Sequence, residues 1–395
     1  MPGERQPVAR QDSRAAHEPR IRTDNESRPG TLPAPRNAWY VVAFSNEVGT
    51  KPLSRRILGN RLLFYRTDDG QPVALADYCA HRAMALSQGK VVSGDRIKCP
   101  YHGIEYDRSG ACVRVPSQAQ VPRSMKVRSY PLVEKWRWIW AWMGDPAKAD
   151  ETLIPDHAEF GLAEGDGFRK TQRFMMPIGG NFQLLHENLL DVSHISFLHE
   201  GLFDSGSVAS APATTEIENG VITITRRVTE TMSGVFAAQF EIAAGTRVDR
   251  QLISRTWVPN LNLITNILSF PDHPERAPAI RHSPFPITPE TDRSCHYFAA
   301  VAANYGKAQE GEELAKALQT TWDIFMADKL AIETIQQAYD EFGLLTPDTS
   351  VRADAAAIRF RRVLKGQVEA ERGERSANME AFPEACQTKG SRDAI

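Results

Sequence analysis

The sequence is poor in cysteine, with five among 395 residues. It also lacks any long apolar run, an excess of either charge, and a dinucleotide-binding fingerprint. Each shortage removes a class of protein. The five thiols (Cys79, Cys99, Cys112, Cys295 and Cys386) are an odd number in a large chain whose start has no signal-peptide core, which argues against a disulfide framework. No stretch approaches the roughly 18 apolar residues that would cross a membrane. Lys plus Arg (47) nearly balance Asp plus Glu (49), and a net charge of −2 offers no field for nucleic acid. Without a flavin or nicotinamide fingerprint, electrons drawn from NADH would have to arrive through another protein. A cytoplasmic address is the default expectation.

A chain that is 42% hydrophobic and this long can fill two cores. Residues 1–36 are polar, rich in Arg and Pro and free of apolar periodicity, which predicts a disordered leader. From Asn37 to Pro146 the pattern is of short strands and turns. Leu62–Tyr65 leads through Thr67–Gly70 into Val73–Ala76 as a hairpin, and Asp107–Gly110 forms another turn. Trp136, Trp138, Trp140 and Trp142 recur at period two, placing four indoles on one strand face, where core packing is favoured over a ligand platform. Residues 147–371 mix helices (about Asn181–Leu198 and Glu312–Glu341) with strand-like runs at Val221–Thr225, Phe236–Phe240, Leu261–Thr265 and Cys295–Val301, the pattern of an α+β domain. Residues 372–395 form a polar tail expected to be loose.

Two constellations carry chemistry. The first is Cys79-Ala-His81 followed by Cys99-Pro-Tyr-His102, one thiolate and one imidazole on each of two loops. Zinc also accepts two Cys and two His, but zinc fingers usually pair like with like along the chain. Alternation of ligand type suits a two-iron cluster in which one iron takes both sulfurs and the other both imidazoles, the Rieske arrangement. Gly89, Gly94 and Gly103 permit the tight backbone such loops need. Cys112, without a nearby Cys, reads as a small buried residue.

The second constellation is His194 and His199 in the segment Asn188-Leu-Leu-Asp-Val-Ser-His-Ile-Ser-Phe-Leu-His199. Two His and one carboxylate on one face of Fe(II) leave positions open for O2 and substrate. Five residues on an ideal helix turn through about 140°, so the two imidazoles converge only across a widened turn or a helix end. Asp191, one turn before His194, is placed to accept from its imidazole. Asp328 is the candidate carboxylate, because its helical neighbours Ile324, Phe325, Ile332 and Ile335 form an apolar face where an unpaired acid is costly. Asp323 and Glu333 project elsewhere and read as solvated. Polar surface or satisfied core histidines are the bland alternative.

From Ala38 to Asp340 the chain resembles the alpha subunits of Rieske oxygenases, in the branch of vanillate and dicamba O-demethylases. The resemblance rests on C-A-H…C-P-Y-H-G, on Asn188–His199, on Thr288-Pro-Glu-Thr-Asp-Arg-Ser-Cys-His-Tyr-Phe298, and on the Asp328 helix. It implies an N-terminal all-β Rieske 2Fe–2S domain followed by a helix-grip-type α+β catalytic domain with an antiparallel sheet. Cys79 and Cys99 would bind one cluster iron, His81 and His102 the other, and His194, His199 and Asp328 the mononuclear Fe(II). Asn188 and Asp191 would serve catalysis, Asp191 bridging a cluster imidazole of one subunit and an iron imidazole of its neighbour in a head-to-tail homotrimer. The implied activity is NADH-driven monooxygenation, fed by a ferredoxin or ferredoxin reductase, that uses O2 to dealkylate a small aromatic substrate. Ring dihydroxylation to a cis-diol is the alternative, and a bare electron-transfer or zinc module a remote one. Where relatives often carry a His three residues before the Thr of T-P-E-T, this chain has Phe285, which favours a less polar substrate. Asn260, Asn262, Asn266 and His296 are further candidates for substrate hydrogen bonds.

Overall fold

The computed structural model describes residues 32–200, 202, 206–306, 311–343 and 349–380. Residues 1–31 of the expected leader and 381–395 of the expected tail lie outside the described residues. The first part holds ten strands: β1 (Trp39–Phe44), β2 (Leu53–Ile57), β3 (Asn60–Arg66), β4 (Pro72–Ala76), β5 (Lys90–Val92), β6 (Arg96–Lys98), β7 (Glu105–Tyr106), β8 (Cys112–Arg114), β9 (Leu132–Lys135) and β10 (Trp138–Trp142). They form three small sheets, ordered β1-β10-β9, β2-β3-β4 and β5-β6-β7-β8. The hairpin expected at the Thr67–Gly70 turn is the antiparallel β3–β4 pair. Trp138, Trp140 and Trp142 are fully buried on one face of β10, but Trp136 is not in the strand. With Arg137 it forms the β9–β10 turn, both at positive φ (60° and 65°), the backbone a two-residue hairpin turn demands.

The second part runs β11 (Arg169–Ile178), α1 (Phe182–Leu190), α2 (Ser207–Ser210), β12 (Ala213–Glu218), β13 (Val221–Thr231), α3 (Gly234–Gln239), β14 (Arg247–Trp257), β15 (Leu261–Ser269), β16 (Ala279–Pro289), β17 (Cys295–Ala303), α4 (Gly311–Phe342) and α5 (Ala355–Glu380). Its strands make one antiparallel sheet in the order β11-β17-β16-β15-β14-β13-β12. Period-two alternation gives this sheet two buried faces. Phe285, Ile287 and Tyr297 pack with Leu185 of α1, Phe325 of α4 and Phe360 of α5. Leu261, Leu263, Phe298 and Ala300 point the other way, onto the tryptophans of β1 and β10. The tryptophan stripe is therefore the seam between the cluster-loop part and the sheet.

Polar groups pin the same seam. Thr288 Oγ1 donates to the Val41 carbonyl at 2.6 Å, His296 Nε2 meets the Arg56 carbonyl at 2.9 Å, and Asn260 Nδ2 donates to the Trp39 carbonyl. This corrects the substrate-contact expectation for Asn260 and His296: Asn260 Nδ2 and His296 Nε2 are taken by neighbouring backbone, His296 Nδ1 is buried without a partner among the described residues, and neither side chain lines the cavity beside the triad.

Four other expectations are corrected. Phe236–Phe240 belongs to helix α3 and its cap, not to a strand; Ser233 caps it, and Phe236 and Phe240 share one helical face at i, i+4. The helix expected over 181–198 stops at Leu190. Residues 32–36 of the leader are packed: Leu32 lies against the catalytic core, and the Arg36 amide donates to Glu371 at 2.6 Å. Helix α5 continues to Glu380, so the tail expected to be loose from residue 372 begins as helix, in keeping with its Ala, Glu and Arg content.

Three imidazoles are held neutral by this packing. His157 lies in an aromatic box of Trp136, Trp138, Trp140 and Phe160. His186 stacks on Phe360, and His282 lies beside Phe168. Burial lowers them from 6.5 to about 3, about 4 and about 4 respectively. Below 6.5 the unfolded chain takes up protons that the fold refuses, so their contribution is complete above that value and is lost as pH falls toward 4 and then 3. The melting temperature is expected to fall as pH is lowered from about 7 to about 4, and less steeply in His157→Phe. A calorimetric pH series with identical slopes in the two proteins would contradict this.

Candidate metal centres

The first pair of loops hangs between β4 and β5 and between β6 and β7. Asp77, two residues before Cys79 and 2% exposed, ties the first loop to the sheet. Its carboxylate accepts from Ser54 Oγ, Ser87 N and Ser87 Oγ, all at 2.8 Å, and pairs with Arg61 at 3.1 Å. Each loop then closes on its own cysteine: Cys79 N donates to the Met84 carbonyl and Cys99 N to the Ile104 carbonyl, both at 2.8 Å. Gly89 is required because a Cβ there would lie 2.1 Å from the Lys98 carbonyl oxygen, and Gly103 because its φ is +66°.

The two thiols are buried at the base of these loops, whereas His81 and His102 are exposed, their rings 4.8 Å apart. Tyr106 reaches Cys79 Sγ at 3.2 Å while its hydroxyl accepts from Ala80 N at 3.0 Å. Burial and then the adjacent Cys79 push the Cys99 thiol up; the Tyr101 and His102 amides, aimed at its sulfur, act against them. This two-level layout, sulfurs below and imidazoles above, fits a cluster with two unlike irons. Among the described residues the group of three or more metal donors gathered tightly enough for one ion is a different one, which disfavours zinc here. Cys112, expected to be a small buried residue, is half-buried on β8. Tyr106 and Asp77 were not singled out by sequence; only their closeness to the C-x-H motif hinted at Asp77.

The tight group is His194, His199 and Asp328, whose donor atoms lie within 4.8 Å of one another. A break in α1 makes it. At Asp191 the backbone leaves the helix (φ −106°, ψ 85°), and a 3-10 turn over Val192–Ser196 carries His194 and ends before His199. The convergence that a straight helix forbids is thus achieved by a helix end. His194 Nδ1 bonds the backbone carbonyl of Asp191 at 2.7 Å, which leaves Nε2 facing Asp328 Oδ1 at 3.6 Å. His199 Nε2 lies 3.1 Å from the same oxygen. The Asp191 carboxylate itself does not accept from His194; it caps Ser193 N at 3.1 Å and pairs with Arg226 at 3.5 Å.

Asp328 projects from α4 and is 5% exposed, among Ile324, Phe325 and Ile332. Ile335, expected on this face, is 41% exposed. Asp323 is exposed as expected, but Glu333 is not free in solvent: it accepts from the Gly179 amide at 2.7 Å and pairs with Lys329. Asn188 Nδ2 donates to Asp328 Oδ1 at 3.3 Å, and Asn188 Oδ1 is buried with no partner among the described residues. Two imidazole nitrogens and one carboxylate oxygen turned toward one point, with a spare amide acceptor beside them, fit a divalent iron with open positions.

Next to the triad lies a cavity of about 110 Å³. Leu189, Ile195, Leu252, Phe285 and Phe325 supply apolar wall, and Asn266 and Ser283 polar wall. Phe285 and Asn266 therefore face it as expected, whereas Asn262 is absorbed by His186 and Thr256. Tyr297, also in the wall, has its hydroxyl held protonated by burial and then by the Asp328 charge.

The Rieske [2Fe-2S] domain matches residues 38–131 and the vanillate O-demethylase oxygenase C-terminal domain residues 178–370. The oxygenase component of dicamba O-demethylase from Stenotrophomonas maltophilia is 34% identical over 337 residues, covering 84% of this chain and 96% of the relative. A vanillate O-demethylase oxygenase subunit from a Pseudomonas strain is 31% identical, covering 84% and 94%. The crystal structure of dicamba monooxygenase bound to dicamba superposes with a TM-score of 0.76 at 30% identity, covering 86% of this chain and 98% of that one. Fold and donor sets together define a Rieske non-haem iron oxygenase, an oxidoreductase with a 2Fe–2S cluster and a mononuclear iron. Within that class the chain belongs to the family of oxygenase components that includes dicamba and vanillate O-demethylases.

The triad depends on how closely α4 approaches the turn before α1. A Cβ at Gly180 would lie 2.5 Å from Ile332 Cγ2, one helical turn beyond Asp328. Gly180→Val is expected to cost about 1–3 kcal/mol and to loosen metal retention at the triad without removing a donor. Melting curves and metal titration of the apoprotein check this, and wild-type values for both would show that α4 is free to shift.

Proposed function

We propose that this chain is the terminal oxygenase of a multicomponent system that dealkylates a small aromatic compound at an O- or N-bound alkyl carbon. The observation carrying the proposal is the His194–His199–Asp328 donor set opening onto a largely apolar cavity. When bound, the cluster relays single electrons and the mononuclear iron activates O2. The protein's own tasks are distinct. Cys79 and Cys99 hold one cluster iron, His81 and His102 the other, and His194, His199 and Asp328 the lone iron. Asn188 steadies the Asp328 carboxylate. Phe285, Phe325 and Leu252 keep the reacting carbon dry and aligned. Hydroxylation of that carbon with O2, two electrons and two protons gives a hemiacetal or hemiaminal and water; collapse then releases an aldehyde and the phenol or amine. Ring dihydroxylation to a cis-diol remains the second reading, and product analysis separates the two.

Electrons must enter from a reductase or ferredoxin, and the exposed His81 and His102 mark where they leave the cluster. Tyr101 (62% exposed) and Phe197 (75% exposed) flank the two centres as apolar surface. That supports a head-to-tail homotrimer in which the imidazole tip of one copy docks beside Asp191 of the next. An NADH-driven donor places the system in the cytoplasm. The division into a Rieske domain over 37–146 and a catalytic domain over 147–371 is part of the same reading, supported by the Trp39–Trp142 packing that adds β9 and β10 to the first part.

Reconstitution with a reductase and NADH should yield aldehyde in step with O2 uptake; cis-diol without aldehyde would reverse the assignment. Asp328→Ala is expected to keep the visible spectrum of the cluster, lose the third iron, and lower turnover at least about 100-fold. Iron analysis beside the activity assay checks it. Tyr106→Phe deletes the hydroxyl contact to Cys79 Sγ and is expected to lower the cluster potential by about 50 mV, from a bond of about 1 kcal/mol. A redox titration showing no shift would mean that Cys79 is not a cluster ligand.

A further inference from the structure

Beyond the triad, the cavity has a charged end that apolar dealkylation does not require. Three neighbouring strands present Arg250 (β14), Asn266 (β15) and Arg281 (β16) to it, and α3 presents Gln239. Arg250 is neutralised in place: Nη1 meets Glu230 Oε1 at 3.2 Å, both side chains 2% exposed, Nε donates to Asn266 Oδ1 at 2.8 Å, and its guanidinium lies over Phe236 at 4.4 Å. Arg281 has no carboxylate partner among the described residues. Its Nη1 donates to Gln239 Oε1 at 2.8 Å, with Gln239 fixed in that sense because its Nε2 donates to the Leu202 carbonyl at 3.3 Å. Its other neighbour is the neutral hydroxyl of Tyr305, and Glu241 near that ring is paired with Arg169 at 3.1 Å. Among the described residues, two arginines against one glutamate leave one positive charge on this wall, because Asp328 is committed to the triad.

Arg281, Ser283 and Phe285 lie on one face of β16 and all line the cavity. Phe285 touches Phe325 of α4, with ring centroids 5.6 Å apart, and so marks the end near Asp328. Four residues of strand place Arg281 about 13 Å further along. A half-buried guanidinium supported by neutral acceptors, opposite a metal centre across an apolar waist, is a recognition site for an anion. We infer that Arg281, with Ser283 beside it, binds an anionic group of carboxylate or sulfonate type on the substrate, holding the opposite end of the aromatic against the triad. The proposal rests on the dealkylation reading and deepens it. It also replaces the expectation of a less polar substrate drawn from Phe285: the wall loses a polar group at residue 285 and has a charged one at residue 281.

The test measures binding apart from turnover. The full-length holoprotein is titrated calorimetrically with 2-, 3- and 4-methoxybenzoate, the matching methoxybenzamides and 4-methoxybenzenesulfonate. The best acid is expected to bind the wild type at least about tenfold more tightly than its amide. Arg281→Gln should weaken that acid about 10- to 100-fold and leave the amide within about twofold, while Arg281→Lys keeps much of the preference. Equal binding of acid and amide, no acid binding at all, or unchanged acid binding in Arg281→Gln with a wild-type melting curve would overturn the inference. The two readings fail separately. Acids bound through Arg281 with no aldehyde formed would sink the dealkylation reading alone, whereas aldehyde from the amides with the acids rejected would sink the anion site alone.

Discussion

The burial of the Asp328 carboxylate governs the catalytic half of the molecule. An acid that is 5% exposed, on a helix face otherwise made of Ile324, Phe325 and Ile332, is stable only with partners that reach it from outside its own helix. Those partners are His194, His199 and Asn188, all from one short stretch after β11. To deliver them the chain abandons helical geometry at Asp191, and to let α4 come close it keeps glycine at residue 180. Fold and site are therefore one constraint: the arrangement that satisfies the carboxylate is also the one that offers a metal two nitrogens and an oxygen.

The cluster loops solve the opposite problem. There the hydrophobic part lies below, with Cys79 and Cys99 sealed over Leu63, Ile97 and Tyr106, and the polar ligands His81 and His102 face outward. Asp77 and the loop glycines fix the backbone so that amides and the Tyr106 hydroxyl address the sulfurs. A protein that must pass an electron to another molecule needs its redox centre rigid underneath and open on top, and this layout provides both.

Between the two centres the seven-stranded sheet has different jobs on its two faces. One face packs on the tryptophans of β1 and β10 and is pinned by Thr288, His296 and Asn260 to the first part of the chain. The other lines the cavity, from Phe285 near α4 to the arginines of β14 and β16. Alternate residues of a single strand thus hold the domains together and shape the pocket: on β15, Leu261 and Leu263 pack on the tryptophans while Ile264 and Asn266 line the cavity.

Sequence alone determined the elements whose chemistry is local. The two Cys–His loops, the His194–His199 pair, the Asp328 helix and the β3–β4 hairpin were legible because ligand spacing, helical period and turn residues all act over a few positions. The broken helix was legible as a requirement, since five residues cannot converge on a straight helix, but its location at Asp191 was not. Tertiary structure decided what depends on partners distant in the chain. It placed His296 and Asn260 at the domain seam, turned Phe236–Phe240 into a helix, occupied the Asp191 carboxylate with Arg226, and left Arg281 facing the cavity with no carboxylate partner among the described residues. A polar side chain has the same appearance in a sequence whether its partner is a backbone carbonyl, an opposite charge or a ligand, and only long-range packing distinguishes them.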